Sequence, residues 1–332
     1  MSKLHATAFL VTASMASILG ATEFVPGRLL VQAARNTDAR SLQKALAAHG
    51  LAAHHAIAPL GVTVVEGSER TLDAVAAALL KSGQFTFVER DGVAHGGGVP
   101  NDPDFSSQWH LATVQAANAW NVTSGSAGVT IAMIDSGVDG THPDLATKLV
   151  PGWSFLTGTS NTSDVQGHGT ATAGTAAAAT NNGIGGAGLA ANNMIMPLVV
   201  LNSSDYASYS DVASAITYAA DHGVRIINIS IGGSSSSSTL QSAVDYAWNK
   251  GAVIFASAMN NSTSTPYYPA ACNNVVAVSS TESNDTFSSF SNYGSWITLS
   301  APGNNIFTTD NGGGYGTWWG TSFSSPIAAA TA

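Results

Sequence analysis

Apolar positions recur along the chain with two rhythms. From Gly27 to Asp91 short runs alternate with stripes. Arg28–Ala33 is an apolar run, and Asp38 opens a segment carrying Leu42, Ala45, Leu46 and His49 on one face before Gly50. That spacing predicts a helix following a strand. Gly61–Glu66 (GVTVVE) reads as a strand, Thr71–Ser82 as a helix with Leu72, Val75, Ala76, Leu79 and Leu80 on its apolar side, and Phe85–Glu89 as a last strand. With a further strand near Ala56, these elements fit a small α+β sandwich of the ferredoxin-like, split βαβ type. After Trp120 the rhythm lengthens. Val129–Ile134, Leu198–Leu201, Val224–Ser230, Val253–Ala258 and Val275–Ser279 are runs of the kind buried strands make. Between them, a helix opening at Ser210 carries Val212, Ala215, Ile216 and Ala219, and another carries Leu240, Ala243, Val244, Ala247 and Trp248; Gly223 and Gly251 close them. This alternation predicts an α/β unit, a mostly parallel sheet with helices on both faces. In such sheets ligands sit beyond the carboxyl ends of the strands.

The two rhythms meet at Gly92–Pro100 (GVAHGGGVP), which has no periodicity and reads as a flexible, cleavable linker. Charge divides at the same place. Residues 1–100 hold eight Lys/Arg against seven acids, residues 101–332 only Lys148, Arg225 and Lys250 against thirteen. Three cations cannot neutralise a row of phosphates, so nucleic acid is excluded as a partner. Only 9% of the 332 residues are charged, against about 25% in an average soluble domain, so Ser, Thr, Asn, Gly and Ala must cover the surface. The single Cys272 rules out an internal disulfide framework; in its apolar context it reads as a buried small residue. Lys3 followed by the small and apolar stretch Ala6–Gly20 reads as a signal peptide over residues 1–21. It is too short for a membrane span, and no other segment is apolar enough. The expected product is an exported chain without a membrane span.

Candidate chemistry lies just after these elements. The Val129–Ile134 strand runs into Asp135, and a carboxylate at a buried strand end is costly without a partner. His168 stands in GHGT ahead of an Ala/Thr run suited to a tightly packed helix, and Ser322 stands in GTSFSSP at a loop-to-helix junction. Each alone is unremarkable, since any one of them is structural more often than functional. In the order Asp, His, Ser they supply an orienting acid, a base and a hydroxyl nucleophile.

The strings DSGVDGTHPDL (Asp135–Leu145), GHGTATAG (His168–Gly174 within it) and GTSFSSP (Gly320–Pro326) resemble the three active-site blocks of the subtilisin-like serine peptidases, whose triad runs in this chain order. The resemblance implies a subtilisin-like fold over residues 100–332, with residues 22–99 as an inhibitory propeptide and linker. It implies Ser322 as nucleophile, His168 as general base and then acid, Asp135 as its partner, and Asn260 as the oxyanion-binding amide. Met259 departs from the glycine usual before that Asn. Ser230, Ile231, Gly232 and Gly233 resemble the lining of the first specificity pocket, and Tyr267 falls where its floor would be, which would make it shallow. Trp318 would face the leaving group or pack in the core. The resemblance further implies structural calcium, held through Asp102, Asp144 and Asn182 with backbone carbonyls.

The expected protein is therefore a secreted serine endopeptidase, monomeric, acting on peptides or proteins, made as a self-processing zymogen and held by its own propeptide. Family members continue beyond the helix of the nucleophile, so the resemblance implies a peptidase unit that is C-terminally incomplete. The alternatives are an incompetent truncated fragment, a peptide-binding pseudoenzyme or an esterase. Gly183–Gly188 matches G-x-G-x-x-G but lacks the strand before and the helix after that a dinucleotide site needs. His142 reads as packed beside Pro143, and His110 and His222 show no ligand spacing.

Overall fold

The computed structural model describes residues 24–35, 37–92 and 99–332. The expected leader over residues 1–21, and residues 93–98 of the expected linker, lie outside the described residues. The chain forms two compact units, residues 1–95 and 96–332.

In the first unit, strand β1 (Phe24–Ala33) leads to helix α1 (Ala39–Ala48), hairpin strands β2 (Ala52–Ile57) and β3 (Val62–Glu66), helix α2 (Leu72–Lys81) and strand β4 (Phe85–Gly92). The sheet order is β2-β3-β1-β4 with antiparallel neighbours, the split βαβ arrangement expected from the apolar pattern. Asp38 caps α1, its carboxylate accepting from the Arg40 and Ser41 amides. Leu46, Leu72 and Leu79 from the helices close over Leu29, Val31, Val65 and Val88.

The second unit begins with two short helices, α3 (Trp109–Thr113) and α4 (Ala116–Trp120). The strands that follow are β5 (Thr130–Asp135), β6 (Trp153–Ser154), β7 (Met194–Val199), β8 (Ile226–Ile229), β9 (Val253–Ser257), β10 (Val275–Thr281) and β11 (Leu299–Pro302). They make one seven-stranded sheet in the order β11-β10-β9-β8-β5-β7-β6, parallel at every pairing. Strand order reverses at β5, and that is where a parallel sheet opens a crevice at its carboxyl edge. Helices α5 (His168–Ala177), α6 (Tyr209–Asp221), α7 (Ser238–Asn249) and α8 (Thr321–Ala330) and the hairpin β12 (Ile306–Asp310) and β13 (Gly314–Trp318) complete the unit. Two apolar clusters cover the sheet. One joins Ile134, Leu198, Ile227 and Ile254 to Ile216 of α6 and Val244 of α7. The other joins Ile131, Met133 and Phe255 to the alanines of α5 and to Phe323 and Ile327 of α8.

Strand β7 starts four residues before the Leu198–Leu201 run that the sequence suggests. Pro197 interrupts the apolar signal there. It is tolerated because the pairing on that side runs through Leu149 with Ile195 and Trp153 with Leu198 and leaves Pro197 itself out, although Gly152 passes so close that a Cβ there would stand 2.0 Å from the Pro197 carbonyl oxygen.

Candidate active site

Asp135 is the last residue of β5, the strand at which the order reverses, and is 1% exposed. Its Oδ1 accepts from His168 Nδ1 at 2.8 Å and from the Ser136 amide at 2.8 Å, and its Oδ2 accepts from Thr172 Oγ1 at 3.2 Å. A carboxylate on Nδ1–H fixes the tautomer that leaves Nε2 free to take a proton. His168 opens α5, and the glycines of the two motifs make the approach possible. A Cβ on Gly169 would stand 2.1 Å from the Gly137 carbonyl oxygen. Burial pulls the His168 imidazole down, but the charges of Asp135, Asp205 and Asp164 and the Asp135 hydrogen bond outweigh it, and the net titration lies above the usual imidazole range.

Ser322 stands in the first turn of α8. Its Oγ donates to the Ser230 carbonyl at 3.2 Å rather than to His168, whose ring packs on neighbouring Phe323 with centroids 6.0 Å apart. Rotation about χ1 re-aims the hydroxyl, and such bonds commonly form only with substrate in place. Pro326 explains part of the GTSFSSP string. It sits four residues after Ser322 inside α8 and has no N–H, so the Ser322 carbonyl lacks its helical donor. The Ser230 hydroxyl supplies that bond at 2.8 Å. Asn228 then links the two segments, donating to Ser230 Oγ at 3.0 Å and accepting from Ser325 Oγ at 2.7 Å.

Asn260 follows β9, and its amide oxygen accepts from the Thr321 amide at 2.9 Å and Thr321 Oγ1 at 3.0 Å. That orientation turns Nδ2 away from Thr321, in the wall of the cleft that also contains Ser322. Gly320 must be glycine here: its φ is +132°, and a Cβ would stand 3.0 Å from Asn260 Nδ2. Met259, where the resemblance implies glycine, takes φ +73° and donates its amide to Thr321 Oγ1 at 2.9 Å. The left-handed backbone costs such a residue about 1–2 kcal/mol.

The cleft holds about 590 Å³ and brings together His168, Ser322, Asn260, Ser230, Ile231, Gly232 and Gly233. Tyr267 does not line it; Tyr268 does. Gly233 and Tyr268 exchange backbone hydrogen bonds of 2.9 and 2.8 Å, and alternation along an extended segment turns the preceding side chain to the other face. Trp318 both lines the cleft and packs on Phe323, its Nε1 donating to Asp310 Oδ1 at 2.6 Å.

Asp164 carried no local signal in the sequence. Its carboxylate accepts from the Gly167 and Thr170 amides at 2.8 Å and from Ser136 Oγ at 2.8 Å, tying the start of α5 to the turn after β5.

The residues expected to hold calcium also meet. Asp102 accepts from the amides of Asn181 at 2.8 Å, Asn182 at 3.0 Å and Gly183 at 3.2 Å. Asp144 accepts from Asn182 Nδ2 at 2.7 Å and Tyr315 Oη at 2.9 Å. Both carboxylates are buried, and among the described residues no cation pairs with either. Burial raises Asp144 above the usual carboxylate range, Asn182, Tyr315 and His142 oppose it, and Asp102 adds to it. Two buried acids without a counter-charge, each now satisfied by amide N–H or hydroxyl donors, offer carboxylate oxygens of the kind a hard cation takes. Among the described residues no three His, Cys, Asp or Glu side chains gather as a metal-binding group, so carbonyl and amide oxygens would have to complete the shell. Asn182 would have to turn its amide oxygen, now bonded to the Ile184 amide at 3.1 Å, toward the ion.

The remaining candidates are structural. His142 bridges the Asp144 amide and the Gly314 carbonyl. His110 is fully buried and, among the described residues, without a polar partner, and burial pushes its imidazole down to about 3. Cys272 is buried and its thiol pushed up to about 11. Gly183–Gly188 follows α5 in a loop, with neither the strand nor the helix of a nucleotide site.

Residues 126–332 match the model of the subtilase family of peptidases. Thermitase of Thermoactinomyces vulgaris is 47% identical over 234 residues, 70% of this chain and 84% of that protein. A thermophilic serine proteinase of a Bacillus species is 38% identical over 321 residues, 93% of this chain and 77% of that protein. Among solved structures, a protease of Pseudoalteromonas arctica superimposes with a TM-score of 0.65 at 31% identity, covering 70% of this chain and 85% of that one. A cold-adapted subtilisin-like serine proteinase gives a TM-score of 0.56 at 35% identity, covering 61% and 73%. With the family's fold around a crevice lined by His168 and Ser322, and Asp135 bonded to His168 behind it, the chain belongs to the subtilase family and is a serine endopeptidase.

Proposed function

We propose that this endopeptidase cleaves peptide bonds through an acyl-enzyme on Ser322 and is exported as a zymogen. The observation that carries the reading is the Asp135–His168 hydrogen bond in the same cleft as Ser322 and Asn260. His168 Nε2 takes the Ser322 proton as Oγ attacks the substrate carbonyl carbon. The charge that develops on the carbonyl oxygen is held by Asn260 Nδ2–H and the Ser322 amide, aimed beforehand by Thr321 and the start of α8. Collapse expels the amine, which leaves with the proton from His168; water then repeats the steps on the ester. Asp135 keeps the imidazole in the tautomer that both halves use.

Residues 22–99 act as the inhibitory propeptide, a reading supported by the compact split βαβ unit and by the Bacillus proteinase alignment, which extends over most of the chain. Residues 1–21 direct export, a reading supported by their composition; among the described residues no helix is long and apolar enough to cross a membrane. Calcium is held by Asp102, Asp144 and Asn182, where it supplies the positive charge those buried carboxylates lack.

A fluorophosphonate probe tests the chemistry. The parent is expected to label and Ser322→Ala to remain unlabelled, with its precursor uncut near Gly98–Asn101. Normal processing of the purified variant without another protease would refute self-cleavage. An unlabelled but folded parent, with residues 1–100 removed, would leave a peptide-binding protein without chemistry.

A further inference from the structure

The acyl half of a substrate must lie between two strand ends. Ser322 Oγ rests on the Ser230 carbonyl after β8, and Asn260, the proposed oxyanion donor, follows β9. A side chain beside the scissile carbonyl therefore enters between the Ser230–Gly233 segment and Met259. That space is already partly filled. A Cβ built on Gly232 would stand 3.3 Å from Met259 Cγ and 3.4 Å from Sδ, so the thioether lies against the bare Gly232 backbone. Ser257 Oγ meets the same sulfur at 3.6 Å. Met259, Gly232 and Tyr268 all line the cleft, and the Tyr268 carbonyl oxygen stands 3.1 Å from the same Gly232 Cβ position.

We infer that Met259 is the specificity-determining residue of this endopeptidase, its side chain occupying the pocket for the residue on the acyl side of the cut and selecting small side chains over aromatic ones. The inference rests on the function proposed above. It goes further by assigning the shallowness expected of Tyr267 to a different residue with a different physical cause. Methionine is unbranched and flexible, so it yields to a slender group, whereas admitting a ring requires it to give up its place against Gly232. Its left-handed backbone gives a second route by which it could matter, and two substitutions separate the routes. Met259→Gly removes both the side chain and the strain, whereas Met259→Ala removes the bulk and keeps the unfavourable φ.

The measurement is kcat/KM for two otherwise identical peptide p-nitroanilides, with Phe or Ala before the bond that breaks. The Phe:Ala ratio is expected to rise about tenfold or more in both variants, the scale on which a hydrophobic pocket discriminates, and to stay near parental in Met259→Leu. An unchanged ratio in both variants overturns the inference. So does a change confined to Met259→Gly that is equal for both substrates, which would assign Met259 a backbone role at Asn260. Fluorophosphonate labelling of Ser322 in each variant reports separately whether the catalytic reading holds. Calorimetric binding of the peptides with C-terminal Phe or Ala, in a Ser322→Ala background, reads the same pocket without chemistry.

Discussion

Asp135 and Asp144 are both buried in the second unit, 1% and 0% exposed, and both accept only nearby donors. Asp135 faces a group that can become a cation: His168, held at 2.8 Å, with Thr172 and the Ser136 amide completing its shell. Asp144 faces only neutral donors, Asn182 and Tyr315, and feels a second carboxylate in Asp102. The same buried charge is thus compensated in two ways. At Asp135 the partner belongs to the protein, and its charge comes and goes with a proton. At Asp144 the proposed calcium would bring the charge from solution. One arrangement suits chemistry, the other suits a bound ion that only the folded state can hold.

Breaking the Asp135 side of this contrast has the largest expected effect. Asp135→Asn keeps the shape but offers His168 an amide whose N–H favours the wrong imidazole tautomer. We expect kcat to fall by about 10⁴ with KM little changed, a magnitude taken from the corresponding substitutions in other serine proteases. A loss of less than tenfold would remove Asp135 from its proposed role.

The Asp144 side is tested by removing the ion. If calcium near a hundred times its dissociation constant stabilises the fold, chelation costs about 2.7 kcal/mol, which is roughly 5–10 °C in Tm for a unit of this size. Asp144→Asn should abolish most of the difference between chelated and calcium-loaded protein. The sign follows from burial. Asp144 titrates above its unfolded range, so without a cation it favours the folded state only at low pH, and that contribution is lost as pH rises through its folded pKa. In chelator, then, the variant should match or exceed the parent near neutral pH. Equal Tm with and without chelator in the parent would end the calcium proposal.

What the sequence disclosed and what it hid follow the range over which each feature is determined. Strands β5, β8 and β9 and helices α6 and α7 are legible because burial imposes a local period. The hairpin β12–β13 is not, because Gly314–Trp318 (GYGTW) carries no clean alternation of apolar and polar positions. Asp135, His168, Ser322 and Asn260 sit in short strings at element ends and could be named one by one. Their supports could not. Asn228 meets Ser325 across 97 residues, and Ser230 meets Ser322 across 92. Pro326 was the one local sign that the Ser322 carbonyl needed a partner from elsewhere. Which of Tyr267 and Tyr268 lines the cleft is not legible locally, because the Gly233–Tyr268 pairing that sets the face of each forms between distant segments.

Asp205 sharpens the contrast from outside it, with the smallest effect. Its loop folds around Asn202, whose side-chain oxygen accepts from the Ser204 and Tyr206 amides at 2.9 and 3.1 Å, and Asp205 itself stands at φ +61° in the cleft wall. Burial opposes the charged form of His168, while Asp135, Asp205 and Asp164 favour it. His168 works as a base only when neutral, so activity should fall with decreasing pH as the imidazole gains its proton, above the ordinary imidazole range. Asp205→Asn removes one supporting charge without touching the Asp135 bond or the Asp164 anchor. The acidic limb of kcat/KM should therefore move to lower pH while the plateau rate is retained. Because Asp205 is exposed, added salt should screen its charge and shift the parent limb the same way, but shift the variant limb less. A limb that stays in place in the variant would show that the Asp135 partnership alone sets when His168 can act.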